Sequence, residues 1–206
     1  MPPAIADDRS TVFTHIREAL AQYDGKAKTT LPEWDPAFIV CNPPKVFDSL
    51  VEHFRFKFEA TGGIVVQGWA ELLAFLQTQD VQRGYADPAF AAEVKSLPFA
   101  IEHELDRARI DEYQFGITRA CAAIAETGSM ILTETGSSSR LGALSPWLHV
   151  AVLETRHILP DMPSAIADFG NERSNLFVTG PSKTADVEGI LIQGVHGPGV
   201  QVCCLV

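Results

Sequence analysis

Short apolar segments that alternate with amphipathic ones constrain the fold of this chain more than any other feature of its sequence. The segments "AFIVC", "GIVVQ" and "VQRGY" have the length and composition of β-strands. Helix-like segments follow the first two strands, and the second of these helices is "WAELLAFLQTQ". The first helix places five apolar residues on one face, namely Phe47, Leu50, Val51, Phe54 and Phe58. Since this alternation is typical of α/β proteins, we predict a mainly parallel sheet sandwiched by helices.

The second half of the chain continues the pattern. The segments "SMILTE", "LHVAVLE", "NLFVTG" and "VQVCCLV" are predicted strands, apolar enough to be buried on both faces. The segments "DMPSAIADF" and "TADVEGILIQ" are predicted helices, and "GSSSRLGALSP" is a predicted loop. Residues 87–111 mix prolines with an acidic run, so a helix and loops are expected there, without an assigned role.

The beginning of the chain differs from this main body. Val12, Phe13, Ile16 and Leu20 have helical spacing, and the linker "DGKAKTTLPEWDP" follows them. We therefore predict an N-terminal helical appendage with its linker over residues 1–36 and one α/β domain over residues 37–206. A chain of 206 residues is long enough for this arrangement.

Composition and charge exclude several classes of protein. The formal net charge is −10 and no Lys/Arg cluster occurs, so a nucleic-acid partner is not expected. No apolar run has the length of a membrane span, and the first residues lack a secretory signal pattern. The four cysteines, at positions 41, 121, 203 and 204, form no C-x-x-C pair. We therefore expect no bound metal, cluster or disulfide, and a cytoplasmic location with reduced thiols.

The segment "VTGPSKTADVEGI" is the strongest candidate for a ligand site. A predicted strand ends there and a predicted helix begins, and backbone N–H groups at such a helix start attract anions. Thr179, Gly180, Ser182, Lys183 and Thr184 are the predicted anion-binding residues; in the alternative, Ser182 or Thr184 only caps the helix. A nucleoside-triphosphate loop is rejected, because Phe177 and Ser182 occupy its two glycine positions. Neither a dinucleotide-binding G-x-G-x-x-G nor a hydrolase G-x-S-x-G occurs, and no cofactor is expected.

Three other residues are candidates for chemistry. Glu126 lies in the small-residue run "AIAETGS", where it acts either as nucleophile or general base or as an acceptor that fixes a turn. His196 lies between glycines that would let a ligand approach the backbone closely, although a loop histidine is also common on surfaces. Arg140 follows three serines and could bind a carboxylate through two N–H groups, or remain solvated.

Several ordered motifs together resemble the lactate-utilisation (LUD) domain family, and within it lactate utilisation protein C. They are "GITRACAAIAETGSMIL", "RLGALSPWLHVAVLETRHILP" and "VTGPSKTADVEGILIQGVHGP", and they cover about residues 113–206. The first hundred residues agree with the family only in length and in the order of helices and strands. Cys121 departs from the family, which often has a polar or acidic residue at this position.

The resemblance implies the fold shared by glucosamine-phosphate isomerases, ribose-phosphate isomerases and CoA transferases. Ligands with phosphate or carboxylate groups lie at the carboxyl ends of strands in that fold, which supports the anion site at residues 179–184. The resemblance also implies a role in the oxidation of L-lactate to pyruvate, beside a companion subunit and a subunit with iron–sulfur clusters. Any redox cofactor would then belong to these partners.

Three functions remain open at this point. The chain is an accessory subunit of a lactate-oxidising complex, with no catalysis of its own, or it is an autonomous isomerase- or CoA-transferase-like enzyme. A binding protein for a small phosphorylated or carboxylate metabolite is the third possibility. The enzyme hypothesis requires Glu126, Lys183 and His196 around one cavity, whereas the accessory hypothesis requires an exposed apolar patch for partners.

Overall fold

A computed structural model describes residues 8–22, 46–133, 136–137, 139–168, 174–185 and 190–206. The chain forms two compact units, residues 1–45 and 46–206. In the first unit, helix α1 spans Asp8–Gln22, which confirms the predicted N-terminal helix. Its apolar residues Val12, Phe13, Ile16 and Leu20 are exposed. The predicted strand "AFIVC" lies outside the described residues.

The second unit contains five further α-helices among its described residues. They are α2 (Leu50–Ala60), α3 (Gly68–Thr78), α4 (Ala91–Val94), α5 (Arg140–Leu144) and α6 (Met162–Asp168). The first six strands are β1 (Ile64–Gln67), β2 (Arg83–Ala86), β3 (Ala100–Glu102), β4 (Phe115–Arg119), β5 (Ala122–Ile124) and β6 (Ser129–Thr133). The others are β7 (Leu148–Leu153), β8 (Ile158–Leu159), β9 (Asn175–Val178), β10 (Lys183–Ala185), β11 (Leu191–Gln193) and β12 (Val200–Leu205). No helix in the described ranges is both long and apolar enough to cross a membrane.

Six strands form the central sheet in the order β1-β12-β7-β4-β2-β3, and every neighbouring pair is parallel. The central strand β7 is buried along its whole length, because side chains on both of its faces enter a core. The α/β fold with a mainly parallel sheet is therefore confirmed.

Each face of the sheet packs against a different layer. Leu72 and Leu76 of α3 and Val94 of α4 join the core on one face. Phe54 and Phe58 of α2 join the core on the opposite face, together with Ala143 of α5. A four-stranded sheet in the order β8-β5-β6-β9 lies on this second side and contributes residues of β5 and β6 to the same core. Helices thus cover both faces, and α2 and α5 share their face with a small mixed sheet.

Three local predictions were wrong. The segment "TADVEGILIQ" is not one helix, because β10 and β11 form an antiparallel pair and residues 186–189 between them lie outside the described part. The segment "GSSSRLGALSP" contains helix α5, capped where Ser139 Oγ accepts from Gly142 N. Helix α2 begins at Leu50, so Phe47 precedes it. A helix of five residues is too short to show its period in the sequence, and apolar β-branched residues fit a hairpin as readily as a helix.

Candidate functional site

The strand order places a topological switch point between β2 and β4. The chain leaves β2 toward β3 at one edge of the sheet, and it leaves β4 toward β7 in the opposite direction. Connections that diverge in this way open a crevice outside the carboxyl ends of the strands, where open α/β sheets bind ligands. Two cavities lie at this carboxyl edge.

The first, which we call the switch-point cavity, has a volume of about 490 Å³. Arg119 ends β4, Glu154 follows β7, Val206 follows β12, and Phe90 belongs to the connection after β2. The other lining residues are Trp69, Ala89, Glu93, Ala120, Cys121, Gly136, Val152 and His157. Apolar and ionisable side chains therefore line the same space.

Hydrogen bonds fix the wall of this cavity around Cys121. Thr133 Oγ1 accepts from Gly136 N at 2.9 Å and lies 3.3 Å from Cys121 Sγ. The Ser137 hydroxyl donates to the backbone oxygen of Arg119 at 2.6 Å. A Cβ atom at Gly136 would lie 2.3 Å from the sulfur, so only glycine fits there. The thiol is thus held in one place, half-buried, at the end of β4.

The second cavity, the arginine cavity, has a volume of about 580 Å³ and lies beyond the ends of β2 and β3. Two guanidinium groups, those of Arg107 and Arg140, line it together with His103. The remaining lining residues are Tyr85, Pro88, Glu104, Leu105, Ser137, Ser139 and Leu141. Of the residues predicted to bind a ligand, Arg140 is the one that lines either of these cavities.

The tautomer of His103 follows from its hydrogen bond. His103 Nδ1 lies 2.9 Å from the backbone oxygen of Ala86 at the end of β2. A carbonyl oxygen only accepts, so Nδ1 carries the proton and Nε2 is the acceptor nitrogen of the neutral ring.

The predicted anion loop lies at the other edge of the sheet. The Lys183 ammonium donates to the backbone oxygen of Thr61, the C-terminal cap of α2 and three residues before β1 begins. The backbone N–H of Ser182 donates to the oxygen of Pro198, two residues before β12 begins. Parallel strands share their amino ends, so the loop lies away from the carboxyl-edge cavities. Strand β10 occupies the position where a helix was predicted to begin. The attraction of an anion by a helix dipole therefore does not apply to this loop.

Hydroxyl contacts account for other residues of this loop. Thr179 Oγ1 lies 2.7 Å from Ser129 Oγ, which in turn lies 2.7 Å from Thr127 Oγ1. Gly180 has a φ of 82° and packs so closely on Thr61 that a Cβ would lie 2.4 Å from its hydroxyl oxygen. Thr184 pairs with β11 in the hairpin. Anion binding by residues 179–184 stays a prediction.

Glu126 and His196 are exposed, and neither lines the two carboxyl-edge cavities. Glu126 lies in the turn between β5 and β6, where its carboxylate accepts from Met162 N, at the start of α6, at 3.4 Å. Its backbone N–H donates to the oxygen of Pro160 at 3.1 Å. These contacts hold a turn against a helix start; a catalytic role for Glu126 stays a prediction. The three residues that the enzyme hypothesis needed together do not meet in these cavities.

A buried polar cluster in the middle of the sheet was not indicated by any sequence pattern. His149 Nε2 lies 2.8 Å from Thr118 Oγ1, and the amide of Gln201 contacts Nδ1 on the other side of the ring. All three side chains are buried. Burial lowers the pKa of His149 to about 4, and the hydrogen bond from Gln201 opposes this shift only in part. The cluster was missed because one histidine in "LHVAVL" does not disturb an apolar strand pattern.

No group of three or more His, Cys, Asp or Glu side chains within the described ranges is arranged to hold a metal ion. The described lining of the two carboxyl-edge cavities offers arginine, histidine, carboxylate, hydroxyl and thiol groups.

Comparison with known proteins identifies the family. An uncharacterized protein of Neisseria meningitidis serogroup B is 27% identical over 203 residues, which cover 95% of this chain and 84% of that protein. Lactate utilization protein C of Bacillus licheniformis is 34% identical over 98 residues, but the match spans only 41% of its length and 44% of this chain. The crystal structure of a DUF162 family protein from Deinococcus radiodurans has the same fold, with a TM-score of 0.59 and 18% identity over 79% of this chain and all of that one. The model of the LUD domain matches residues 63–206, and the chain therefore belongs to the LUD domain family.

Proposed function

We propose that this protein takes part in lactate utilisation as an accessory subunit. The observation that carries this proposal is the similarity over 98 residues to a protein named lactate utilization protein C, within a shared domain family. The finer part of the proposal is that the system oxidises L-lactate to pyruvate. Iron–sulfur and companion subunits would accept the two electrons, because lactate can lose them only to a redox centre.

An exposed apolar surface supports the role of a subunit. Ile190, Leu191, Ile192 and Val195 in the β10–β11 region are 43 to 60% exposed, and Trp147 is 56% exposed. The Trp147 ring packs against the backbone of the same segment, where a Cβ at Gly194 would lie 2.1 Å from it. Such a concentration of exposed apolar side chains in one segment, which we call the apolar patch, is typical of a surface that binds another protein.

One observation favours a second candidate function. Cys121, Glu154 and His157 line a single cavity, and thiol, carboxylate and imidazole groups are able to act as nucleophile and general base. An autonomous enzyme that acts on a small carboxylate or phosphorylated metabolite would use this cavity.

Growth on L-lactate as sole carbon source tests the proposed function. We expect a strain that lacks the gene to grow on pyruvate but not on L-lactate, and the wild-type gene to restore growth. Leu191→Asp should abolish this rescue because it places a charge in the patch, while Ile166→Asp, at another exposed apolar position that lines neither cavity, is the matched control. Full growth of the deletion strain on L-lactate would contradict the proposal.

A further inference from the structure

We infer that the arginine cavity binds a small 2-hydroxy acid, with Arg107 and Arg140 on its carboxylate and His103 on its hydroxyl. This inference deepens the proposed function and rests on it for the identity of the acid as lactate. The recognition of a carboxylate and a neighbouring hydroxyl follows from the cavity itself.

The two guanidinium groups supply the carboxylate site. Arg107 forms no ion pair with any residue of the described part of the chain, although five acidic side chains lie within five residues of it. Arg140 Nη1 donates to Ser174 Oγ at 3.0 Å, and the same guanidinium borders the cavity. A pair of arginines beside one cavity suits a carboxylate, because each can donate two parallel hydrogen bonds to its oxygens.

His103 supplies the acceptor that distinguishes a hydroxy acid from an oxo acid. Its Nδ1 proton is donated to the oxygen of Ala86, so Nε2 accepts in the neutral ring. The hydroxyl group of a 2-hydroxy acid can donate to this nitrogen. The carbonyl group of a 2-oxo acid has no proton to donate, so it cannot make the same bond.

The other lining residues agree with a small, singly charged ligand. Among the described residues that line the cavity, Glu104 is the one carboxylate, and it stands beside Arg107, Arg140 and His103. Leu105 and Leu141 offer apolar contacts to the carbon end of the acid.

Isothermal titration of the full chain with L-lactate, pyruvate and acetate tests the inference. We expect binding of all three acids, with L-lactate the tightest. Arg107→Gln and Arg140→Gln should each weaken all three by about tenfold or more, the usual consequence of losing a charge-assisted pair. His103→Phe should weaken L-lactate several-fold while it leaves acetate unchanged, because only the hydroxyl loses its acceptor.

Matched controls separate this site from other sites. Arg55→Gln removes an arginine from α2 that pairs with Glu59 and lines neither cavity, so binding should be unchanged. Lys183→Ala tests the predicted anion loop as the other place where an acid could bind, and a thermal unfolding midpoint checks that each variant is folded. Any of three results would overturn the inference. The affinity for L-lactate is unchanged in both Arg107→Gln and Arg140→Gln, it is lost in Lys183→Ala, or the wild-type chain does not bind L-lactate. If the chain is nevertheless required for growth on L-lactate, the proposed function stands without it.

Discussion

The buried imidazole of His149 makes the stability of this protein depend on pH in a defined range. Its pKa is about 4 in the folded chain, against an ordinary value of 6.5, because burial disfavours the charged ring. The unfolded chain therefore binds a proton at pH values where the folded chain does not. The contribution of this neutral ring to stability is complete above about pH 6.5 and is lost as the pH falls from there toward 4.

The size of the effect follows from the two pKa values. A difference of about 2.5 units corresponds to a total of about 3 kcal/mol in the free energy of unfolding, of which about 2 kcal/mol is lost by pH 5. His149→Gln removes the titrating ring but keeps polar atoms that can contact Thr118 and Gln201. The variant should therefore lose about 2 kcal/mol less than the wild type between pH 7.5 and pH 5.

Urea unfolding followed by circular dichroism, at pH values from 7.5 to 5, measures this difference directly. The acidic groups whose pKa is lowered in the fold, Glu102, Asp106 and Asp161, titrate at lower pH and are common to both proteins. Identical pH dependence in wild type and His149→Gln would refute the assignment of the effect to this ring. An NMR titration in which His149 has a pKa near 6.5 would refute it equally.

Three further predictions concern packing and reactivity. Gly116→Ala should destabilise the fold by about 2 kcal/mol or more in urea unfolding, because its Cβ would lie 1.8 Å from a backbone oxygen of α5; a loss below 0.5 kcal/mol would contradict this packing. Alkylation of the native chain, followed by mass spectrometry, should label Cys121 well before Cys203 and Cys204, since burial raises the pKa of both thiols, that of Cys204 to about 12. Equal labelling of the three would show that the sheet opens readily. Lys183→Ala should lower the free energy of unfolding by about 1 kcal/mol through loss of the contact at the end of α2, and an unchanged urea midpoint would assign no structural role to that contact.

The fold was predictable because the periodicity of the sequence is strong where the core is largest. Leu72 and Leu76 have the spacing of a helix face, and β7 and β12 are too apolar to lie on a surface, so helices and buried parallel strands follow. The β10–β11 hairpin was missed because "TADVEGILIQ" is compatible with either period, and pairing between strands decides the outcome. Strands β6 and β9 of the small sheet were predicted, but their pairing into a separate sheet beside α2 was not, because no local pattern records which strands pair.

The site was less predictable, since it depends on which edge of the sheet each loop reaches. The loop that contains Lys183 has residues suited to an anion, yet strand order brings it to the amino edge. Arg140 was identified from its residue type alone, whereas Arg107 and His103 lie in a segment with no readable motif. Their proximity arises from the positions of β2 and β3 in the sheet, which no local pattern records.

Lactate consumption by extracts of the deletion strain tests the central claim most directly. Purified wild-type chain, added back to such an extract, should restore the conversion of L-lactate to pyruvate, and the chain alone, without extract, should give no conversion with an artificial electron acceptor. The double variant Arg107→Gln/Arg140→Gln should fail to restore conversion, whereas Arg55→Gln should restore it fully. Conversion at the full rate in extract that lacks the chain would contradict the account.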